Sequence, residues 1–208
     1  MIVLALTGSL GMGKSTAAAM LRRMQVPVWD ADAEVHRLLG PGGDAVAEVA
    51  REFPGALLGD RIDRKRLGAR VFGDAVALRR LEAILHPKVR AAERRFLQGC
   101  RRRRAPIVVL DIPLLFETGG EKRVDGVIVV SAPAWLQRQR VLRRPGMSAD
   151  RLRAVLAQQV PDAQKRRRAD WVIPTGLGKA ATRRRLREVL RAALAAGHRI
   201  SASACKRG

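Results

Sequence analysis

The sequence predicts an α/β fold in which a parallel sheet of five strands is covered by helices on both faces. Short apolar runs alternate with amphipathic helical segments along the chain, and most neighbouring runs are linked by a helix. Four of the runs are continuously apolar, as expected for strands that are buried on both faces. The predicted strands are Ile2–Thr7, Val26–Trp29, Ile107–Leu110, Val127–Val130 and Trp171–Ile173.

The connection after the first strand is rich in glycine. Residues 8–15 read GSLGMGKS and complete the pattern G-x-x-x-x-G-K-[ST], between a strand and the predicted helix Ser15–Met24. The backbone N–H groups of such a loop and the N-terminus of the following helix bind phosphate. Lys14 is expected to reach the β- and γ-phosphates, and Ser15 to place its hydroxyl on Mg²⁺. The motif predicts the P-loop NTPase fold and a nucleoside triphosphate bound by Gly8, Gly11, Met12, Gly13, Lys14, Ser15 and Thr16.

Two segments are expected to form smaller structures beside the predicted sheet. The block from about 40 to 100 reads as helices only and is expected to form a helical lobe. The segment from about 138 to 150 is short, rich in Arg and interrupted by Pro145-Gly146, so we expect a lid over the triphosphate. Both belong to one P-loop domain over residues 1–197, and residues 198–208 are expected to be a disordered basic tail. The helices predicted after the first are Ala33–Leu39, Ala45–Glu52, Asp63–Phe72, Ala75–Leu97, Pro133–Arg143, Ala149–Arg167 and Lys179–Ala196.

Carboxylates follow two of the predicted strands. Asp30 and Asp32 come after the second strand, which should end at the same rim of the sheet as the glycine-rich loop. Phosphoryl transfer needs a group that orients the acceptor hydroxyl and accepts its proton, and one of these carboxylates is expected to do so while one caps the next helix. The residues alone leave open which does which. Asp111, after the third strand, is predicted to support Mg²⁺; the alternative is an ordinary polar residue at a strand end.

Two arginines of the predicted lid, Arg140 and Arg144, are expected to act on the transferred phosphate. A guanidinium can donate several charge-assisted hydrogen bonds to an anion and stabilise the charge that develops on it. The alternative is the solvated charge of a surface helix, which we favour for Arg138 and Arg143.

The chain is strongly basic, with a formal net charge of +22. Residues 1–93 hold 14 Lys and Arg against 11 Asp and Glu, whereas residues 94–208 hold 27 against 8. This excess favours anionic partners, but the chain has no Tyr and only 3% aromatic residues on which bases could stack. We therefore expect no specific nucleic acid partner and only weak non-specific binding of RNA. The protein is further expected to be a monomer or a small homo-oligomer.

The composition also predicts a compartment. Only two cysteines are present, Cys100 and Cys205, which suits a reducing environment. No apolar stretch is long enough to span a membrane, and the first strand begins at Ile2, which leaves no room for a targeting peptide. The expectation is a cytoplasmic protein without a membrane partner.

Several blocks together resemble the dephospho-CoA kinase family. Residues 6–16 resemble its opening T-G-G-I-G-S-G-K-S-T, and Asp30-Ala31-Asp32 resembles its D-A-D. Further matches are Gly40-Pro41-Gly42, Leu85-His86-Pro87, residues 111–117 (DIPLLFE), the positions of Arg144, Gln159 and Lys165, and residues 169–173 (ADWVI). The blocks run in order from 4 to about 178, so the resemblance covers nearly the whole chain.

The resemblance implies transfer of the γ-phosphoryl group of ATP, with Mg²⁺, to the ribose 3′-hydroxyl of dephospho-CoA, the last step of coenzyme A synthesis. It favours Asp32 over Asp30 as the base for that hydroxyl. It also implies substrate binding by residues of the second strand end and the helical lobe: Asp30, His36, Arg37, His86 and Lys88.

The chain departs from the family pattern in three regions. In the glycine-rich loop, Ser9 and Leu10 replace Gly and Ile and Met12 replaces Ser, at positions where only backbone groups are required. His36 stands where many members have Arg, so either His36 or the adjacent Arg37 contacts substrate. Pro174-Thr175 replaces a polar pair near the adenine, and that contact is left unassigned.

Other functions fit the sequence less well. The nearest is a P-loop kinase for a nucleoside monophosphate or a small metabolite, which the D-A-D, L-H-P and P-L-L-F-E blocks disfavour. A GTPase needs an N-K-x-D signal for guanine, and the chain contains no Asn. A basic RNA-binding protein regulated by ATP would predict RNA binding that falls steeply with salt.

Overall fold

The structure is a computed structural model that describes the backbone of residues 1–205 and the side chains of residues 1–196. It divides into two compact units, one formed by residues 1–29 with the chain from residue 100 onward, and the other by residues 30–99. Within the described residues, no helix combines the length and the apolar character needed to cross a bilayer.

The first unit is built on a parallel five-stranded sheet in the order β2-β5-β1-β6-β7. Its central strand β1 pairs with β5 and β6, and the register sets Leu6 beside Asp111. Nearly all residues of β1, β5 and β6 are buried, which explains their continuously apolar sequences. The predicted sheet is confirmed. The strands are β1 (Ile2–Thr7), β2 (Val28–Asp30), β5 (Ile107–Asp111), β6 (Gly126–Ser131) and β7 (Trp171–Pro174).

Helices pack on this sheet through apolar faces. Ala17, Ala18 and Leu21 of the first helix join Leu186 and Val189 of the last helix in one buried cluster with the strands. The last helix continues to Cys205, beyond the predicted end at Ala196. The tail predicted for 198–208 stays a prediction, because its side chains and residues 206–208 lie outside the described part. The helices are α1 (Lys14–Arg23), α6 (Ala134–Leu142), α7 (Ala149–Ala157), α8 (Asp162–Arg167) and α9 (Gly178–Cys205).

One predicted helix of this unit is wrong. The sequence predicted a single helix over Ala149–Arg167, but α7 ends at Ala157 and α8 begins at Asp162. Pro161 is the N-cap residue of α8, and its ring is incompatible with a helix interior at that position. The resulting linker, residues 158–161, carries side chains of the candidate site.

The second unit has its own apolar core, to which α2, α3, α4 and α5 contribute. α2 ends at Leu39, before the glycine-rich stretch of residues 40–43. The prediction of helices only is wrong in one detail, because β3 and β4 form a short antiparallel hairpin. Pro87 lies inside α5 without ending it. The elements are α2 (Ala31–Leu39), α3 (Val46–Glu52), β3 (Leu57–Leu58), β4 (Arg61–Ile62), α4 (Arg64–Val71) and α5 (Ala75–Arg102).

Candidate active site

The glycine-rich loop joins the end of β1 to the start of α1. Gly11 and Gly13 adopt φ values of 79° and 91°, a region that other residues rarely enter. A Cβ on Gly11 would lie 2.5 Å from Cγ2 of Val141, and one on Gly13 would lie 3.1 Å from Oγ1 of Thr175. Both glycines are therefore required by conformation and by close packing, as a phosphate-binding loop needs.

The loop ends at an open helix N-terminus. The N-cap position of α1 is Gly13, and among the described residues no side chain caps this helix. The first backbone bond of the helix is donated by Ala17 N–H to the Gly13 carbonyl at 3.1 Å. The N–H groups of Lys14, Ser15 and Thr16 precede it, and such groups bind anions. Ser15 and Thr16 are exposed, which leaves the hydroxyl of Ser15 accessible.

Lys14 and Asp111 form an ion pair beside this loop. The Nζ of Lys14 lies 2.7 Å from Oδ1 of Asp111, whose side chain is only 2% exposed. The register of β1 and β5 explains the meeting, because Asp111 ends β5 next to the strand that leads into the loop. Asp111 and Lys14 were both predicted as site residues, and the structure brings them together.

The oxygen groups near the loop fit a magnesium ion. Mg²⁺ prefers hydroxyl and carboxylate oxygens, keeps several waters and is usually bound by one or two carboxylates together with substrate phosphates. Asp111 and the exposed hydroxyl of Ser15 supply these oxygen types. No group of three or more His, Cys, Asp or Glu within the described residues forms a closed metal site.

Met12 makes three hydrogen bonds within the protein, two through its backbone and one through its thioether. Its N–H donates to the Ser9 carbonyl at 3.1 Å, and its carbonyl accepts from Thr175 Oγ1 at 2.7 Å. Its thioether is buried and accepts from the N–H of Ala132 at 3.1 Å. The side chain that replaces a Ser of the family pattern is thus part of the core under the loop. Gly8 is also buried, at the start of the loop.

Arg140 reaches the loop through Thr175. Its two terminal nitrogens donate to Oγ1 of Thr175 at 3.1 Å and to the Thr175 carbonyl at 2.9 Å. The same hydroxyl contacts Met12, so Arg140 lies one residue away from the phosphate loop. Arg144 is exposed in the connection between α6 and α7. The sequence left the adenine contact at Thr175 unassigned because Pro174-Thr175 replaces the polar pair of the family pattern, and it gave no sign of the contact between Thr175 and Met12.

Two glutamines contact Leu10 of the loop. Oε1 of Gln159 accepts from the N–H of Leu10 at 3.2 Å, and Nε2 of Gln137 donates to the Leu10 carbonyl at 2.7 Å. Gln159 was noticed only as a position shared with the family, and Gln137 was missed. Neither carries a local sequence signal for this contact.

The two predicted carboxylates at the end of the second strand have different surroundings. Asp30 caps α2, since its Oδ1 accepts from the N–H of Ala33 at 3.0 Å. Asp32 lies in the first turn of α2 and is exposed. His36, one helical turn further on, has its Nδ1 2.8 Å from a terminal nitrogen of Arg64. The sequence had left open which of the two carboxylates caps the helix, and the structure shows that it is Asp30.

The other predicted substrate residues of the helical unit are also on its surface. Arg37 pairs with Glu34 at 2.7 Å and with Asp44 at 3.5 Å. The hydrogen bonds that Arg37 donates to Glu34, followed by the negative charge of Glu34, raise the pKa of Arg37. Lys88 lies 2.7 Å from Glu48, and His86 is exposed on α5.

The fold and the loop define a P-loop kinase. The model of the family described as dephospho-CoA kinase matches residues 2–178. A protein named dephospho-CoA kinase from Paramagnetospirillum magneticum is 66% identical over 166 residues, covering 80% of this chain and 78% of that protein. The chain belongs to the dephospho-CoA kinase family, as its sequence blocks predicted.

Solved structures agree with this assignment. The crystal structure of TT1252 from Thermus thermophilus matches with a TM-score of 0.81 and 39% identity, covering 92% of this chain and 96% of that one. Dephospho-CoA kinase from Campylobacter jejuni matches with a TM-score of 0.63 and 25% identity, over the same shares of the two chains. The similarity therefore extends over almost the full length of these relatives.

Proposed function

We propose that this protein transfers the γ-phosphoryl group of ATP to the ribose 3′-hydroxyl of dephospho-CoA and so carries out the final step of coenzyme A synthesis. The observation that carries the proposal is the phosphate loop with its lysine paired to the buried Asp111. Membership of the dephospho-CoA kinase family supplies the acceptor. The loop supplies the donor half of the reaction.

The loop residues are assigned to ATP. The open N–H groups at the start of α1 bind the phosphate oxygens, and the ammonium of Lys14 offsets charge on the β- and γ-phosphates. Ser15 and Asp111 would hold Mg²⁺, which when bound neutralises phosphate charge. Lys14 would then exchange part of its contact with Asp111 for the phosphates.

The acceptor hydroxyl is assigned to Asp32. A base must have a free carboxylate oxygen within hydrogen-bond reach of the proton that it accepts. Asp32 is exposed, whereas Asp30 is engaged as the cap of α2. Asp32 therefore suits the base better, and Asp30 suits a structural role at the edge of the substrate site.

The cationic side chains are assigned to anionic groups of the two substrates. Arg140 and Arg144 would contact the transferring phosphate as part of the lid that residues 138–150 are proposed to form. His36 or Arg37, with His86 and Lys88, would bind the CoA arm along the helical lobe. Support comes from the exposure of His36 and Arg37 on α2 and of His86 on α5, where a large anion has access to them.

An ADP-release assay tests the proposal. ATP, Mg²⁺ and dephospho-CoA should give rapid release of ADP, whereas AMP or shikimate as acceptor should give little. Turnover of AMP or shikimate instead would indicate a different P-loop kinase. Omission of Mg²⁺ should stop the reaction if the ion is needed. A cytoplasmic location, a monomeric or small oligomeric state and the lack of a specific nucleic acid partner stay predictions.

A further inference from the structure

We propose that Gln137 and Gln159 are positioning residues that fix the phosphate loop in its binding conformation. They bind both backbone groups of Leu10: Gln159 accepts from the N–H and Gln137 donates to the carbonyl. The inference rests on the proposed function only in that nucleotide is the ligand of the loop.

The backbone partners fix the orientation of each amide. An N–H group needs an acceptor, so the carbonyl oxygen of Gln159 faces Leu10; a backbone carbonyl needs a donor, so the NH₂ group of Gln137 does. Gln137 is buried, with 7% of its surface exposed, so its amide serves this contact rather than solvent. One glutamine accepts and the other donates, so that both backbone groups of Leu10 have a side-chain partner.

Gln137 brings α6 against the loop. The backbone carbonyl of Gln137 lies only 3.2 Å from the place of a Cβ on Gly11, and Val141 on the next turn lies nearer still. Arg140, on the same helix, reaches Met12 through Thr175. One helix thus packs against the loop at Leu10 and Gly11 and reaches Met12 through Thr175.

Gln159 is presented by a fixed linker. The Oε1 of Glu117 accepts from the N–H of Val160 at 2.8 Å and also lies 2.8 Å from Nζ of Lys165, which is fully buried. This carboxylate ties residues 158–161 to α8 and to the connection after β5. A side chain from a linker held in this way can orient a backbone group precisely enough to matter for binding.

The consequence for nucleotide binding follows from the geometry of the loop. The peptide groups after Leu10 include those that face phosphate, and a loop held in its bound shape loses less conformational entropy when ATP binds. Loss of either glutamine would leave a Leu10 backbone group without its partner and allow other loop conformations. We expect weaker nucleotide binding and little effect on the acceptor.

The test is Gln159→Met, with Gln137→Met as a second variant, since Met keeps the length of the side chain but lacks the amide. Matched controls are Gln158→Met in the same linker and Gln164→Met at an exposed position of α8. KM is measured separately for ATP and dephospho-CoA, and the rise of the melting temperature on adding ADP is recorded for each folded variant.

Each site variant should raise KM for ATP by roughly fivefold, the effect of losing one hydrogen bond, and leave KM for dephospho-CoA unchanged. The ADP-dependent rise in melting temperature should shrink in the site variants and stay normal in the controls. Equal rises in both KM values, or an ATP KM like that of the controls, would overturn the proposal.

If the variant of the buried residue, Gln137→Met, does not fold, the result for Gln159→Met decides the inference. If the wild-type protein does not phosphorylate dephospho-CoA, the proposed function fails, while the ADP measurement still decides this inference.

Discussion

The sheet unit and the helical unit each contain a lysine–glutamate ion pair of almost the same length. Nζ of Lys165 lies 2.8 Å from Oε1 of Glu117, and Nζ of Lys88 lies 2.7 Å from Oε1 of Glu48. The side chains of the first pair are 0% and 14% exposed, and those of the second are 24% and 49% exposed. The two distances are therefore nearly equal, but the free-energy cost of losing one partner differs. Water can take the place of the lost partner in the exposed pair, whereas the buried lysine would keep an unpaired charge.

The same contrast holds for the predicted site residues. Lys14, Asp111 and Arg140 have partners in distant segments of the sheet unit, and Asp111 is buried. Asp32, His36 and Arg37 lie on the surface of one helix in the other unit, and the pair between Arg37 and Glu34 is local. Tertiary contacts therefore hold the residues of the proposed nucleotide site, whereas the proposed acceptor residues depend mainly on their helices.

The largest expected effect is on the preformed site. Lys14→Ala should lower turnover of ATP and dephospho-CoA by about 10³-fold, because a charge that stabilises the transferring phosphate is lost. ADP release measures this effect, and Lys122→Ala, at an exposed lysine of the same unit, is the control. Near-normal turnover of Lys14→Ala would contradict the assignment of the loop.

The next effect concerns the buried ion pair. Glu117→Gln should lower the free energy of unfolding by about 3 kcal/mol, because it leaves the ammonium of Lys165 buried without its counter-ion. Urea unfolding at neutral pH measures the change. An effect as small as that of a surface pair would show that Lys165 reaches water when its partner is removed.

The same pair has a defined pH dependence. Burial would raise the pKa of Glu117, but the hydrogen bond from Lys165, the backbone N–H groups and the lysine charge outweigh it and lower the pKa. A lowered pKa contributes stability above the ordinary value of about 4.3, and this contribution is lost as pH falls through the folded value. The difference between wild type and Glu117→Gln should therefore shrink below about pH 4. A difference that grows towards acid pH would contradict the direction of this shift.

The acceptor side is tested by two neighbouring carboxylates. Asp32→Asn should lower turnover by roughly 10²-fold, because it removes the group that accepts the proton. Asp30→Asn is the matched control, since Asn caps a helix about as well as Asp does. ADP release with saturating ATP compares them, and equal losses would contradict the choice of Asp32.

The smallest effect is expected at the exposed pair. Glu48→Gln should change the free energy of unfolding by less than about 1 kcal/mol, because the ions of a surface pair are nearly as well solvated apart. The measurement is the urea titration used for Glu117→Gln. A loss as large as that of Glu117→Gln would show that burial is not what separates the two pairs.

Much of the fold could be predicted because its signals are local. Continuous apolar runs identified the buried strands, and the spacing of Gly, Lys and Ser identified the loop. The break between α7 and α8 was missed, although Pro161 marks it, because the apolar pattern continues across the linker. The hairpin of β3 and β4 was missed because two-residue strands are too short to show a period.

The sequence by itself determined the class of ligand, because the glycines, the lysine and the serine of the phosphate loop lie close together in the chain and form a recognisable pattern. Only the tertiary structure decided what holds that loop. Its partners Gln137, Gln159 and Thr175 lie 127, 149 and 163 residues from the loop residues that they contact. Each contact joins a side chain to a backbone group, and every residue has the same backbone groups. Such a contact therefore leaves no pattern in the sequence around the loop, and only the folded chain selects it.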